Sequence, residues 1–367
     1  MRGIIEIFNE IPDPRSGNAI RYQLAEVLVI AVLAILCGME HFTEMEMFAR
    51  EQHEWLCKFL TMKHGVPSHD TFGDIFAVIS PEAVTAAFVE WVESIRSKIS
   101  GEVVPIDGKT IRASRDVPKN QRAVHIVSAW AASNRLVLGQ VATEEKSNEI
   151  KAIPELLEML ELKGCIVTID AIGTQTKIAE KIIERGGDYL LSVKENQAQL
   201  LDDVKMFFED PTGCFESAET YENAHGREEK RGCVITKDIA GIDPEGRWKG
   251  LSGVAKITTE SVILATGVRE SATHYLIFSG EALTAAQVLA AKRAHWGIES
   301  MHWSLDISFR EDMCRVRRGN EAKIFNTMRH LTLNLLNQER SSRGGVASKR
   351  RRCAISIPYR ELVLGVS

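Results

Sequence analysis

The stretches that decide the fold are Val103-Val104-Pro105-Ile106-Asp107 and Cys165-Ile166-Val167-Thr168-Ile169-Asp170. Each is an apolar run of strand length that stops at an aspartate. Such a run favours a buried strand whose last residue presents a carboxylate at the edge of a sheet. An aspartate in this place is also common as a turn residue or as the N-cap of a following helix. The surrounding elements therefore have to decide between these interpretations.

The elements around the two stretches follow a recognisable order. Residues 123–130 and 135–143 predict two strands separated by a turn, and residues 150–162 predict a helix before the second aspartate-ending strand. Residues 174–185 predict another helix, and residues 189–194 predict a further short strand. Three strands, a helix, a strand, a helix and a strand is the order of a ribonuclease H-like core. The sequence thus predicts an α/β fold, a ribonuclease H-like mixed sheet with flanking helices.

A third acidic residue, Glu299, lies in residues 295–306, a stretch with helical periodicity. Two carboxylates at strand ends and one helical Glu supply the hard oxygen ligands that suit Mg²⁺ or Mn²⁺. In this interpretation Asp107 bridges two ions, and Asp170 and Glu299 each complete one site. One ion would activate the nucleophile and the other would stabilise the leaving oxygen of an in-line displacement.

A zinc site is the alternative for the same helix. His295, Glu299 and His302 share one helical face at spacings i, i+4 and i+7, and imidazole is a common zinc ligand. No His lies near Asp107 or Asp170 in the sequence, and carboxylates favour Mg²⁺ or Mn²⁺. We therefore expect the two His residues to orient Glu299 or to pack beside the neighbouring tryptophans.

Short motifs along nearly the whole chain resemble a known family. They are Ile11-Pro12-Asp13-Pro14-Arg15, Pro67-Ser68-His69-Asp70-Thr71-Phe72, Ile106-Asp107-Gly108-Lys109, Lys146-Ser147-Asn148-Glu149-Ile150, Val193-Lys194-Glu195-Asn196-Gln197, His225-Gly226-Arg227-Glu228-Glu229-Lys230-Arg231 and the block around Glu299. Together they are similar to DDE transposases of bacterial insertion sequences, of the H-repeat-associated group. Broader relatives carry a Tyr, Arg, Glu, Lys signature around the last acid, whereas this chain has Lys292, His295 and Asp306 at the other three positions.

The resemblance implies a function and a set of site residues. Asp107, Asp170 and Glu299 would be the catalytic triad of a transposase that hydrolyses and transfers DNA strands at the ends of an insertion sequence. Its partners would be the terminal inverted repeats and target DNA, bound by a homodimer. A ribonuclease H-like nuclease without strand transfer and a domesticated DNA-binding relative are the alternatives.

Breaks in the pattern predict three further parts of the chain. Residues 1–98 contain helical segments, with aromatic residues expected to pack between them, and correspond to the family's transposase-associated domain. Residues 99–340 would be the catalytic domain, interrupted at about residues 197–282 by a mostly β insertion. Residues 341–367 are expected to form a basic C-terminal tail.

The charge distribution is polarised along the chain. The net charge is −5, but residues 310–352 contain twelve Lys and Arg against four Asp and Glu, a local balance of +8. Adjacent cations can displace counterions from a nucleic-acid backbone, although a solvated basic tail has the same composition. The candidate DNA contacts are Lys109, Lys194, Arg227 (with His225 beside it), Lys349, Arg350, Arg351 and Arg352.

The remaining composition indicates the cellular setting. Seven cysteines without a C-x-x-C pair suggest reduced thiols in a cytoplasmic, nucleoid-associated protein. The longest apolar run, residues 27–36, is too short to span a bilayer and follows several acidic residues. We therefore expect a buried helix there and no membrane partner.

Overall fold

The computed structural model describes residues 3–17, 20–143, 148–209, 213–224 and 226–365. Within these ranges one mixed sheet forms the centre of the molecule. Its strands are β1 (Val103–Thr110), β2 (His125–Ala131), β3 (Leu136–Thr143), β4 (Ile166–Ile169), β5 (Asp188–Val193), β6 (Glu216–Ala224), β7 (Arg227–Thr236), β8 (Leu251–Ile263) and β9 (Arg269–Ser279). Their order across the sheet is β3-β2-β1-β4-β5-β9-β8-β7-β6.

The first five strands have the predicted ribonuclease H-like arrangement. β1, β4 and β5 are parallel, while β2 and β3 run antiparallel to β1. The helices α7 (Glu149–Met159), α8 (Thr176–Glu184) and α9 (Ala198–Glu209) connect or follow these strands. Ile106 of β1 is level with Ile169 of β4, so the next residues, Asp107 and Asp170, lie side by side where β4 ends. The predicted fold class is confirmed.

The insertion is β-rich as predicted, but it extends the central sheet. β9 pairs antiparallel with β5, and β8, β7 and β6 follow in order. The sequence of residues 254–260 and 261–267 predicts two strands, whereas Leu251–Ile263 is one long strand. β6 was not predicted, because its largely exposed residues show no apolar alternation. The insertion and the core therefore share one continuous hydrogen-bonded layer.

The N-terminal part is helical, as expected. Its helices are α1 (Ile4–Asn9), α2 (Leu24–Leu36), α3 (Phe42–Glu51), α4 (His53–Leu56), α5 (His69–Val78) and α6 (Pro81–Ile95). The side chain of Ser68 caps α5 by accepting from the backbone N–H of Thr71, as its sequence position predicts. The sequence of residues 42–60 predicts one helix, whereas the structure has two, α3 and α4. Every residue of α2 is buried, which explains why all of them except Glu26 are apolar. The carboxylate of Glu26 accepts hydrogen bonds from the backbone N–H groups of Thr61 and Met62.

The last helices are α10 (Ala285–Ser308), α11 (Glu321–Gln338), α12 (Val346–Ile355) and α13 (Ile357–Leu364). α11 packs against α2, α6 and β3, so N-terminal and catalytic residues share one hydrophobic core. The expectation of a C-terminal tail is wrong, because residues 346–364 form two helices with buried Cys353, Tyr359 and Val363. No single described helix is both long and apolar enough to cross a membrane; α5 and α6 together meet the length and composition but meet at a 92° bend.

Candidate active site

Helix α10 crosses the sheet and places one polar side chain over each of the central strands. The ammonium of Lys292 donates a hydrogen bond to Oγ of Ser192 on β5, with an N···O distance of 3.2 Å. One helical turn later, Nδ1 of His295 is 2.8 Å from Oγ1 of Thr168 on β4. These contacts fix the rotation of α10 about its axis, because Lys292 and His295 lie on the same face.

The same face continues over β1. Nδ1 of His302 lies 3.6 Å from Oδ2 of Asp107, and Glu299 lies one turn before it on α10. Burial lowers the pKa of His302 to about 3, so its ring is neutral at pH 7 and does not neutralise Asp107. The expectation that His295 and His302 orient Glu299 or pack beside the neighbouring tryptophans stays a prediction; the structure places His295 against Thr168 and His302 near Asp107.

The three predicted carboxylates are brought to the same edge of the sheet. Burial raises the pKa of Asp107 to about 6, and the negative charges of Asp170, Glu149 and Glu299 add to this shift, while a hydrogen bond from the backbone of Gly108 opposes it. This electrostatic coupling places all three acids within interaction range of Asp107. Among the described residues, none of Asp107, Asp170 and Glu299 forms an ion pair with Lys or Arg. The three acids therefore have no Lys or Arg partner at ion-pair distance, and the cation of Lys292 acts on Asp170 and Glu299 only from farther away.

The three carboxylates are not close enough together to coordinate one metal ion in this conformation. In the part of the chain that the structure describes, no three His, Cys, Asp or Glu side chains are grouped closely enough to hold a metal ion. Asp170 accepts a hydrogen bond from the backbone N–H of Ile172 at 3.2 Å, and Glu299 is exposed on α10. The His295, Glu299 and His302 set therefore offers no preformed zinc site, and its two imidazoles are engaged with the sheet.

Glu149 is a site residue whose role the sequence did not reveal. This carboxylate at the start of α7 is buried, and its Oε1 lies 2.7 Å from Nε2 of His125, whose Nδ1 contacts Oγ1 of Thr110 at 2.8 Å. A Cβ added to Gly108 would clash with both Glu149 and His125. The glycine after Asp107 was the available signal, because a missing side chain on a strand marks a close approach. The position of Asn148 directly before a predicted helix favours an N-cap. Asn148 is the N-cap residue of α7, but its side chain makes no capping hydrogen bond.

Lys109 is not positioned as an open phosphate contact, which corrects that prediction. Its side chain is 12% exposed, and its ammonium lies 2.5 Å from Asp306 Oδ1, 2.7 Å from Glu311 Oε2 and 3.7 Å from Asp312 Oδ1. Three carboxylates at these distances retain the cation in the protein, since separating it from buried Glu311 would leave an unpaired charge. Lys109 therefore joins β1 to the end of α10 and the segment after it.

Two other predicted cations remain available beside the site. Lys194 is exposed where β5 ends, and its charge acts with burial to lower the pKa of Lys292, which Asp170 and Glu299 oppose. Arg227 begins β7 and lies 3.5 Å from Glu270 across a cleft of about 470 Å³ that Lys292 also lines. His225, predicted beside Arg227, lies outside the described residues, as do Lys146 and Ser147 of the motif before α7.

The predicted run of basic contacts at residues 349–352 divides in two. The ammonium of Lys349 donates to the backbone oxygen of Leu336 at 2.9 Å and to that of Glu339. The guanidinium of Arg350 donates to the backbone oxygens of Ile35 and Ser308. Both side chains are buried, so the prediction that they contact DNA is wrong.

Arg351 and Arg352, the other half of this run, are exposed on α12. The guanidinium of Arg352 lies 4.0 Å from the centre of the Tyr359 ring, which occupies one of its faces. The proposed DNA contact of Arg351 and Arg352 stays a prediction.

Comparison with known proteins agrees with this geometry. The model of the transposase DDE domain matches residues 99–335, and the model of the DDE-associated domain matches residues 5–92. The chain belongs to the DDE transposase family. Asp107, Asp170 and Glu299 all fall within the residues that match the transposase DDE domain.

Full-length relatives in Escherichia coli support the assignment. The putative transposase YncI of strain O157:H7 is 38% identical over 99% of this chain and 95% of its own length. The H repeat-associated putative transposase YhhI of strain K12 is 36% identical over 100% of this chain and 99% of its own length. The resemblance to the H-repeat-associated group is thereby confirmed.

Proposed function

We propose that this chain is a DNA transposase that carries out metal-dependent phosphodiester hydrolysis and strand transfer at the ends of an insertion sequence. Family membership supports transposition, and the geometry of the sheet edge supports the chemistry. The observation that carries the proposal is the position of the three acids: Asp107 and Asp170 lie side by side where β4 ends, and Glu299 lies on the face of α10 that contacts β4 and β1. None of them forms an ion pair with Lys or Arg among the described residues. A DNA phosphate alone would be repelled by such a site, whereas a phosphate accompanied by cations would be attracted.

The donor set fits Mg²⁺ or Mn²⁺. Asp107, Asp170 and Glu299 would hold the ions, because carboxylate oxygens are the ligands that these cations prefer. Bound there, two such ions would activate the attacking oxygen and stabilise the leaving oxygen. Glu299 is exposed and can turn towards Asp107, which accounts for the open arrangement of the three acids.

The other side chains of the site have supporting roles in this proposal. His295, which is bonded to Thr168, would hold α10 against β4, with neutral His302 beside Asp107, so that Glu299 lies on the helix face over the two strands. Lys292 and Lys194 lie on the β5 side and would bind the oxygens of the DNA phosphate backbone. Glu149 and His125 support the opposite face of β1 beneath Gly108.

The proposed partners are the element's terminal inverted repeats and a target DNA. An insertion sequence has two ends, and each chain has one set of carboxylates, so a homodimer on DNA is part of the proposal. The protein would act at the nucleoid in the cytoplasm.

A supercoiled plasmid that carries the element's ends tests the function. Wild-type protein with Mg²⁺ should yield cleaved ends and joined products, whereas Asp107→Asn, Asp170→Asn and Glu299→Gln should yield neither while still binding DNA. Nicking without joining would favour the nuclease alternative, and binding without any cleavage by wild type would favour the domesticated one. Retained cleavage in one variant would remove that residue from the site.

The metal requirement is tested with the same plasmid. Mg²⁺ or Mn²⁺ should support cleavage, and Ca²⁺ should allow binding with little turnover. Activity without added Mg²⁺ or Mn²⁺ that a zinc-selective chelator removes would contradict the proposed metal.

A further inference from the structure

In two segments beside the site, the acidic side chains are largely buried and the basic side chains are exposed. They are residues 111–124, between β1 and β2, and residues 309–320, between α10 and α11. The acids are withdrawn from solvent, with side-chain exposures of 13% for Asp116, 19% for Asp312 and 0% for Glu311. Basic side chains of the same segments are exposed to solvent, with exposed fractions of 84% for Arg112, 75% for Lys119 and 56% for Arg318. We call the bases of the two segments the basic platform: Arg112, Arg115, Lys119, Arg122, Arg310, Arg315, Arg317 and Arg318.

The two segments form one anchored surface. Arg112 donates from its backbone N–H to Asp312 at 3.2 Å, and its guanidinium makes an ion pair with the same carboxylate. The amide of Gln121 donates to the backbone oxygen of Arg317 at 3.1 Å, and the guanidinium of Arg317 donates to the backbone oxygen of Ala113 at 2.7 Å. These cross-links between residues about 200 positions apart hold the bases in a fixed array.

Several platform cations remain uncommitted to protein partners. Arg115 and Arg315 are exposed, and neither forms an ion pair with any residue that the structure describes. Lys119 contacts Asp116 at only 3.9 Å, and such exposed pairs contribute little. Their positive charge is therefore available to an anionic partner.

The platform adjoins the carboxylates along β1. Arg112 follows Asp107 by five residues, which is at most about 17 Å of extended chain. Lys109 connects the two regions through Asp306 and Glu311. DNA rises about 3.4 Å per base pair, so this distance of about 17 Å corresponds to roughly five base pairs. A duplex with one phosphate at Asp107 would therefore have other phosphates of its backbone over the platform.

We propose that the basic platform binds the phosphate backbone of duplex DNA next to the scissile bond. The inference rests on the proposed function, and it names the surface that receives the flanking duplex. The platform lies on the β1 side of the carboxylates, opposite Lys194 and Lys292 on the β5 side. The three carboxylates therefore have cations on both sides: the basic platform next to β1, and Lys194 and Lys292 next to β5.

The test compares two double variants that lose the same charge. Arg115→Gln with Arg315→Gln neutralises the platform, whereas Lys98→Gln with Lys163→Gln neutralises exposed cations before β1 and β4, at the opposite edge of the sheet. Binding of a fluorescein-labelled duplex is followed by anisotropy across a salt titration, without divalent metal. Thermal unfolding of both variants establishes that they are folded, and plasmid cleavage is measured separately.

The platform variant should lower the slope of log affinity against log salt by up to about 2, since each lost phosphate contact removes about 0.9. The control variant should keep the wild-type slope. An unchanged slope in the platform variant, or an equal loss in both variants, would overturn the inference even if wild-type protein cleaves the plasmid. Wild-type protein that binds the duplex but does not cleave it would contradict the proposed function and leave the platform result valid. Absence of any duplex binding by wild type would overturn both.

Discussion

Oε1 of Glu149 lies 2.7 Å from Nε2 of His125, and the pair rests on the backbone of Gly108, next to Asp107. The carboxylate and the imidazole occupy the space that any other side chain at position 108 would need. The identity of residue 108 is thus tied to a buried polar pair on the far side of β1.

The first prediction follows from this contact. Gly108→Ala should lower the free energy of unfolding by about 1 to 3 kcal/mol, because the new Cβ overlaps Glu149 and His125. Gly345→Ala is the matched control, since its Cβ would enter open space and should cost under about 1 kcal/mol. Urea unfolding of both variants measures the difference, and equal effects would show that the pair moves aside freely.

The second prediction separates two roles of Asp170. Its side chain accepts from the N–H of Ile172, which an Asn side chain can also do and an Ala side chain cannot. Asp170→Asn should therefore retain wild-type stability, and Asp170→Ala should lose about 1 kcal/mol of unfolding free energy. Both should lose cleavage, because neither keeps the carboxylate. Urea unfolding measures the stability of both variants, and plasmid cleavage measures their activity. An active Asp170→Asn variant would show that Asp170 has a structural role only.

The third prediction concerns two adjacent arginines on α12. Arg350→Met should lower the free energy of unfolding by about 2 to 4 kcal/mol, because the backbone oxygens of Ile35 and Ser308 lose their donor and the Phe309 ring loses its cation. Arg351→Met, one residue later and exposed, should stay within about 0.5 kcal/mol of wild type. Thermal and urea unfolding compare the two variants. A loss of unfolding free energy in Arg350→Met as small as that in Arg351→Met would contradict the burial of the Arg350 guanidinium.

The fourth prediction is a pH dependence from buried His330. Burial lowers its pKa to about 4, with the charges of Lys109 and Arg329 acting in the same direction and Glu311 opposing them. The unfolded chain therefore binds more protons than the folded chain between about pH 6.5 and pH 4, and stability falls as the pH falls through this window. Glu311, whose pKa is lowered to about 2, loses its stabilising effect only below about pH 4.5.

Replacing His330 should flatten this dependence. Wild-type protein should lose up to about 2 to 3 kcal/mol from this group between pH 7 and pH 4.5, and His330→Leu should lack that part of the loss. Neither ring nitrogen of His330 has a hydrogen-bond partner among the described residues, so the apolar replacement leaves no partner unsatisfied. Urea unfolding at a series of pH values provides the curves, and parallel curves for the two proteins would contradict the assignment.

The sequence predicted those features that depend on local pattern. The sequence predicted the order of the core elements. It also predicted that Asp107 and Asp170 lie at the ends of strands, because each acid directly follows an apolar run. Glu299 was proposed from its helical stretch, but an exposed helical Glu is a weak signal, and the family resemblance assigned it to the triad. β6 escaped prediction because an exposed strand with polar residues on both faces lacks the apolar alternation that marks a strand.

Features that depend on distant partners were missed or misread. Lys109 looks like a free cation beside a turn until Asp306 and Glu311, about 200 residues later, are brought to it. Lys349 to Arg352 read as a uniform basic run, although helical geometry turns Lys349 and Arg350 inwards and Arg351 and Arg352 outwards. No spacing rule indicates which face of a basic helix will be buried, because that depends on the surface it meets.

The bond between Arg350 and Ile35 joins residues that are 315 positions apart, and α2, which ends at Leu36, is buried on every side. During synthesis at about 5 to 20 residues per second, α2 leaves the ribosome roughly a quarter of a minute to a minute before α12 can cover it. For that interval the apolar residues of α2 lack part of their native cover, and such exposed apolar surface favours aggregation. A chain that stops before α12 would leave this apolar surface uncovered, so we expect it to aggregate more readily than the full chain.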